Sequence, residues 1–305
     1  MSENNPIFIR GYSRSGGTLM VTILDAHPEI AMSYELYPNL LAPENGELID
    51  IDRLIEVIKG ARHLKSASKK VQQKNIGTFL ARCIRGGLNN EDVVMFLKEH
   101  RADGLDFSDI KGRMKFIEKC CVTKMRNEGK SRWGLKCSNQ YDDYLNMWPG
   151  AYFLNIIRDG RDVLASQLTT GSFNKTPAEV ARGWVRTHLG FRKLIERSNV
   201  NALEVYYEKL VTQPETEIRK ICNFLNVPFD KSMLNFYEQE LTIYAKKTGH
   251  LSADRISKPI DSSKVGRWKK DLNKKQLEEF YSVAKDTMIG FGYLGHDECF
   301  QTLKS

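Results

Sequence analysis

No stretch of the chain stays apolar for the roughly 18 residues needed to cross a bilayer, and the N-terminal MSENNPIFIRG has neither a basic start nor an apolar core. Neither a membrane anchor nor a signal peptide is therefore expected, and the protein reads as cytoplasmic with no membrane partner. Its six cysteines (Cys83, Cys120, Cys121, Cys137, Cys222, Cys299) include no C-x-x-C pair. That removes the usual zinc spacing, so no metal site is expected, and in a reducing compartment the cysteines read as buried thiols. Internal repeats and low-complexity tracts are missing too; with 41% hydrophobic and 28% charged residues, the composition is that of an ordinary globular chain. Acidic residues are outnumbered, 38 Asp and Glu against 46 Lys and Arg, for a net charge of +8. Such a balance favours anionic partners. The basic residues are scattered, with short runs only at Lys269-Lys270 and Lys274-Lys275, and no aromatic-plus-basic repeat accompanies them. Scattered charge speaks against a nucleic-acid partner and leaves a nucleotide with several phosphates. At 305 residues the chain can bury an extensive core, and residues 1–305 are expected to form a single domain.

One more absence falls inside the motif that organises the chain. In PIFIRGYSRSGGTL, Pro6 to Leu19, the apolar Ile7-Phe8-Ile9 breaks into a loop of Gly11, Ser13, Ser15, Gly16 and Gly17, and Leu19, Met20, Ile23 and Leu24 then recur at helical spacing. This is a strand, a tight loop and a helix. Backbone N–H groups of such a loop, with the positive end of the helix behind them, can hold a phosphate. Gly11, Gly16 and Thr18 fit G-x-x-x-x-G-K-[ST], but Gly17 stands where the lysine that reaches the terminal phosphates of ATP belongs. Arg14 supplies the positive charge instead, which suits a single phosphate better than a magnesium-bound triphosphate. A nucleotide kinase, the first alternative, is disfavoured on this ground; a basic nucleic-acid-binding protein, the second, lacks any module.

Further along, Asp25-Ala26-His27-Pro28 closes a turn, and the segment through IAMSYELY brings Glu35 back toward the loop. Residues from about 46 to 130 are expected to be a helical insertion, a natural lid. Its helices carry Leu48, Ile51, Leu54, Ile55 and Ile58, then Ile76, Phe79, Leu80 and Cys83, then Val93, Val94, Phe96 and Leu97. Arg132 to Lys136 and Tyr152 to Ile157 are strands, the second apolar enough to be covered on both faces. It opens into RDGRDVLAS, where Asp162 can stabilise a helix N-terminus and Arg158 and Ser166 share the carboxyl end of the sheet. Two anion sites on one sheet edge imply a ligand with two separate phosphates. Ala202 to Tyr207 is a further strand, Pro214 to Leu225 a helix, Gly249 to Trp268 a polar flap, and a last amphipathic helix carries Leu277, Phe280, Tyr281 and Ala284.

Four of these places together resemble the sulfotransferases that use 3′-phosphoadenosine 5′-phosphosulfate: RSGGTL (Arg14 to Leu19), RDGRDVLAS (Arg158 to Ser166), VYYEKLV around Tyr207, and KVGRW (Lys264 to Trp268). Within that superfamily the chain looks most like the tyrosylprotein sulfotransferase branch and its bacterial relatives, whose first motif also runs into LDAHPE and a glutamate. The resemblance covers about 6–40 and 132–293, not the helical insertion. It implies an α/β, P-loop-like fold, a central mainly parallel sheet flanked by helices, and the phosphosulfate nucleotide as donor. It assigns Arg14, Ser15, Gly16, Gly17, Thr18 and Leu19 to the 5′-phosphosulfate loop, Arg158 and Ser166 to the 3′-phosphate, Tyr207 to a cofactor contact, and Lys264, Val265, Gly266, Arg267 and Trp268 to a covering segment. It also implies Glu35 as general base, in place of the competing His27, and Lys136 as support for the transferring group. Thr170 stands where a further basic 3′-phosphate ligand belongs, so Arg161 or Arg182 is expected to compensate. No metal is required. The acceptor is a hydroxyl: a small-molecule alcohol or phenol, favoured, or a peptide tyrosine.

Overall fold

The computed structural model describes residues 5–171, 174–197, 199–242 and 257–295. Two compact units divide the chain, one of Met1–Ile9, Thr18–Phe153 and Asp230–Pro259, the other of Arg10–Gly17, Leu154–Phe229 and Ile260–Ser305. The strands are β1 (Ile7–Gly11), β2 (Ile30–Ser33), β3 (Arg132–Lys136), β4 (Tyr152–Ile157) and β5 (Asn201–Tyr206), in the sheet order β2-β3-β1-β4-β5. The pairs β1–β3 and β2–β3 are parallel, with Ile9 opposite Lys136 and Ser33 opposite Leu135. Parallel pairing sends the strand ends and the loops after them to one edge, where ligands of open α/β sheets bind.

In the first unit β2 is a strand where the sequence suggests only a returning segment. Its four residues are all buried, too few for a period to show. Helices α1 (Gly17–Asp25), α2 (Ile51–Lys59), α3 (Leu64–Ala67), α4 (Lys74–Cys83), α5 (Asn90–Ala102), α6 (Ile110–Asn127) and α7 (Tyr141–Met147) follow in order. Helix α2 starts at Ile51, capped by the Asp50 side chain, so Leu48 lies outside it and is 56% exposed. Asp50 wins because a carboxylate that accepts from the Arg53 N–H closes the first turn. The sheet here packs on an aromatic cluster, with Phe8 4.6 Å from Tyr144 and 5.3 Å from Phe153, ring to ring. Asp25 at the end of α1 is fully buried; it accepts from the Lys124 ammonium (2.7 Å) and the Met32 N–H (2.6 Å), tying α6 and β2 to α1.

The second unit holds β4 and β5 with α8 (Gly160–Thr170), α9 (Pro177–Ile195), α10 (Tyr207–Thr212), α11 (Pro214–Leu225), α12 (Trp268–Asp271) and α13 (Lys274–Gly290). Ile157, Leu164, Trp184, Phe280 and Met288 form its core. Thr176 and Glu179 make a capping box with Pro177 in the first turn of α9, and Asn273 with Gln276 does the same for α13. Of the expected polar flap, 249–256 lies outside the described residues. Among the described residues no helix is long and apolar enough to cross a membrane.

Candidate active site

The loop after β1 turns on two residues with positive φ, Arg14 at 74° and Gly16 at 99°. Turns of this kind aim successive N–H groups at one point and make anion-binding concavities. Glycine is required at position 16 by conformation and by space, since an added Cβ would lie 2.5 Å from the Tyr207 ring. A left-handed arginine costs free energy, and such strain clusters at ligand clamps and active sites. Ser15 is fully buried, and its hydroxyl has no hydrogen-bond partner among the described residues. An unsatisfied buried hydroxyl beside a bent loop fits an anionic guest.

Arg158, at the end of β4, gathers the second unit's motif pieces. Its guanidinium donates to the Arg14 carbonyl (3.3 Å) and to the Lys264 carbonyl (2.6 Å), and it lies 4.4 Å from the centre of the Tyr207 ring. Its Nε has no partner among the described residues. Arg14 Nε in turn donates to the Ser166 hydroxyl at 3.1 Å. Residues assigned to opposite ends of one nucleotide thus form one continuous, donor-rich cluster.

Asp162 stands in the first turn of α8 as expected and in addition ties down the covering segment. Asp159 takes the N-cap, accepting from the Arg161 N–H at 2.9 Å, and the fully buried Asp162 accepts from the N–H groups of Gly266 (2.8 Å) and Trp268 (3.0 Å). Burial pushes its carboxyl up against the opposing pull of those N–H groups and of Arg158. Gly266, with φ of 73°, lets the covering segment make this turn. Lys264 and Val265 are exposed. Arg161 is not a spare cation: it binds Asp159 (2.7 Å), Tyr281 (3.3 Å) and the Tyr293 carbonyl (2.9 Å), and stacks 4.0 Å from the Trp268 ring centre. Arg182 is exposed on α9. Arg267 instead reaches Thr169 (3.1 Å), next to Thr170, whose hydroxyl turns back onto the Ser166 carbonyl (3.0 Å).

In the first unit Glu35 follows β2 with φ of 56°. Its Oε1 accepts from Lys136 Nζ at 2.9 Å, Arg82 stands 3.4 Å from Oε2, and a second Arg82 nitrogen donates to the Glu35 carbonyl at 2.7 Å. Thr18, the motif's hydroxyl, is 3.0 Å from the Tyr34 hydroxyl, and Leu19 behind it is half-buried on α1. Burial alone would raise the Glu35 carboxyl, but Lys136, Arg82 and hydrogen bonds from Lys136 and Tyr34 outweigh it and bring the pKa from an ordinary 4.5 to about 2. A carboxylate in a closed site is commonly tuned upward; here the two cations reverse the sign. Burial would likewise lower the Lys136 ammonium, yet Tyr37, Tyr34 and Glu35 raise it. Arg82 belongs to α4, outside every motif, and no pattern in the sequence pointed to it.

His27 is fully buried, and its Nδ1 accepts from the Glu29 N–H at 3.1 Å, which uses that lone pair to hold the turn before Pro28. His100 stacks on Phe107, and His188 lies beside Asn155 in the core, where burial and the cations Arg10 and Arg192 hold it down at about 3. His250 lies outside the described residues.

Residues 6–231 match the model of the sulfotransferase family. Protein-tyrosine sulfotransferase A of Caenorhabditis elegans is 23% identical over 286 residues, 91% of this chain and 64% of that protein. A protein-tyrosine sulfotransferase of Drosophila melanogaster is 24% identical over 271 residues, 86% of this chain and 46% of the relative, so the chain spans less than two thirds of either. Among solved structures, the sulfotransferase domain of the Synechococcus PCC 7002 olefin synthase superposes with a TM-score of 0.58 at 18% identity, covering 94% of this chain and 96% of that one. With well over half of its length inside the family model and its α/β fold shared with that domain, the chain belongs to the sulfotransferase family.

Proposed function

We propose that the protein moves a sulfuryl group from 3′-phosphoadenosine 5′-phosphosulfate to a hydroxyl acceptor, without a metal. The donor supplies an activated sulfate on a nucleotide leaving group. Arg158, Ser166 and Tyr207 bind its 3′-phosphate side, the Arg14 to Thr18 loop binds its 5′ end, and Lys264 to Trp268 cover it. Sulfuryl transfer, like phosphoryl transfer, is mostly positioning and charge stabilisation in line between two oxygens. Arg14, Lys136 and the loop N–H groups neutralise charge on the departing phosphate oxygen. The acceptor O–H bond breaks, its proton passes to Glu35, an O–S bond forms, and the S–O bond to the nucleotide phosphate breaks. Lys136 leaves Glu35 for the transferring group, which restores basicity to the carboxylate when it is used. A small-molecule alcohol or phenol is the favoured acceptor; the relatives' names favour a peptide tyrosine as the second choice.

The observation that carries this reading is Arg158, bonded at once to the loop at Arg14 and the covering segment at Lys264 and stacked on Tyr207. The test is to incubate the protein with labelled phosphosulfate donor and a hydroxyl library without added metal, with products read by mass, beside a calorimetric titration with 3′-phosphoadenosine 5′-phosphate (PAP). PAP binding and a sulfated product are expected. No affinity for PAP overturns the proposal.

A further inference from the structure

We infer that the cavity formed by the helical insertion is the acceptor pocket, and that it selects a hydroxyl compound carrying an anionic group; this rests on the transfer reading above. The cavity, of about 540 Å³, has Glu35 on one side and Lys74, Gly77, Thr78, Ala81 and Arg85 on another. Its size is that of a small-molecule site, roughly 300–1,000 Å³. A larger cavity, about 1060 Å³, lies along α3 and α5 but is not lined by Glu35.

Helical periodicity explains the lining. Positions 74, 77, 78, 81 and 85 recur at three and four residues and share one face of α4 and the turn after it. Gly77, Thr78 and Ala81 are small, which leaves the space open. The wall behind them is closed, because an added Cβ on Gly77 would meet the Ser68 carbonyl oxygen at 2.7 Å.

Charge decides the ligand class. Among the described residues Glu35 is the only carboxylate on the lining, against Lys74, Arg82 and Arg85, and Glu35 is already matched by Lys136 and Arg82. The remaining field is positive, so an amine is repelled and an anion held. Arg82 stays at Glu35, and Arg85, on the same lining, lies over the ring of the neighbouring Tyr34 at 5.7 Å. Lys74 is exposed at the other end of α4, eight residues before Arg82 and so about 12 Å away along the axis. The acceptor places its hydroxyl at Glu35 and its anionic group toward Lys74, and is elongated.

The test uses three matched phenols, para-hydroxyphenylpropionate, its methyl ester and tyramine, titrated calorimetrically into the protein with PAP present. The acid is expected to bind about fivefold tighter than the ester, the scale of one partly exposed ion pair, and tyramine weakest. In Lys74→Glu the ratio of acid to ester affinity should fall to one or below, and in Lys74→Arg it should persist. Equal binding of acid and ester, no binding of any of the three, or a ratio unmoved in Lys74→Glu overturns the pocket assignment. PAP titrated alone separates the two levels: a protein that binds PAP but does not favour the acid has lost only the pocket, whereas one that does not bind PAP has lost the transferase reading.

Discussion

Lys136 Nζ lies 2.9 Å from Glu35 Oε1, so the carboxylate offered as base is ion-paired and weakly basic. Glu35→Gln removes the proton acceptor but leaves the Arg14, Ser15 and Arg158 cluster untouched. Turnover should fall on the order of a hundredfold or more, with PAP affinity kept, as seen by comparing steady-state rates with calorimetry.

With Glu35 held at about 2, kcat/KM, which reports the free enzyme, should show no acid limb between pH 8 and about 4. A limb near pH 6.5 would mark a histidine base instead. In kcat the limb should sit higher than in kcat/KM, because Lys136 has then moved away.

The same pair has a signature in stability. A depressed carboxyl stabilises the fold above its ordinary pKa and loses that contribution as pH falls from 4.5 to about 2. Wild type should therefore exceed Glu35→Gln in unfolding free energy at neutral pH, where the variant leaves Lys136 without its carboxylate. The gap, at most on the order of 3 kcal/mol, should close through that window in denaturant titrations.

Arg158→Ala should weaken PAP far more than adenosine 5′-phosphate, because the guanidinium is proposed to bind the 3′-phosphate, which adenosine 5′-phosphate lacks. Comparable losses for the two nucleotides in calorimetry would put the 3′-phosphate pocket elsewhere.

Gly16→Ala forces a Cβ toward the Tyr207 ring at a φ of 99°. A loss of about 1–3 kcal/mol in stability is expected from the backbone alone, measurable by urea unfolding, together with weaker PAP binding as the loop shifts.

Much of this was legible in the chain. Strands β3 and β4 and helix α11 have the bounds that the sequence reading gives them, and β4, buried from Phe153 to Ile157, has no polar alternation to blur its limits. Arg158, Ser166 and Tyr207 converge because each stands just past a strand end or in the first turns of the next helix, and the turn at 264–267 joins them through Arg158 and Asp162. What stayed hidden was long-range. Nothing local announces that Asp162 would bind the backbone 104 residues on, that Arg161 would reach the Tyr281 hydroxyl and the Tyr293 carbonyl, or that Arg82 of α4 would meet Glu35. Each is a side chain choosing among partners that only the folded chain presents. The downward shift of Glu35 went unseen for the same reason: burial could be guessed, but not the two cations that outweigh it.

Asp162 and Arg158 together fasten the 264–268 segment by two N–H bonds and one guanidinium–carbonyl bond. The latch is made of this chain's own groups, so a nucleotide bound beneath it as proposed would have to open those three bonds to enter or leave. Under the proposed transfer, that unfastening is expected to pace turnover: a rapid-quench experiment should show a first-cycle burst of sulfated product ahead of a slower steady state.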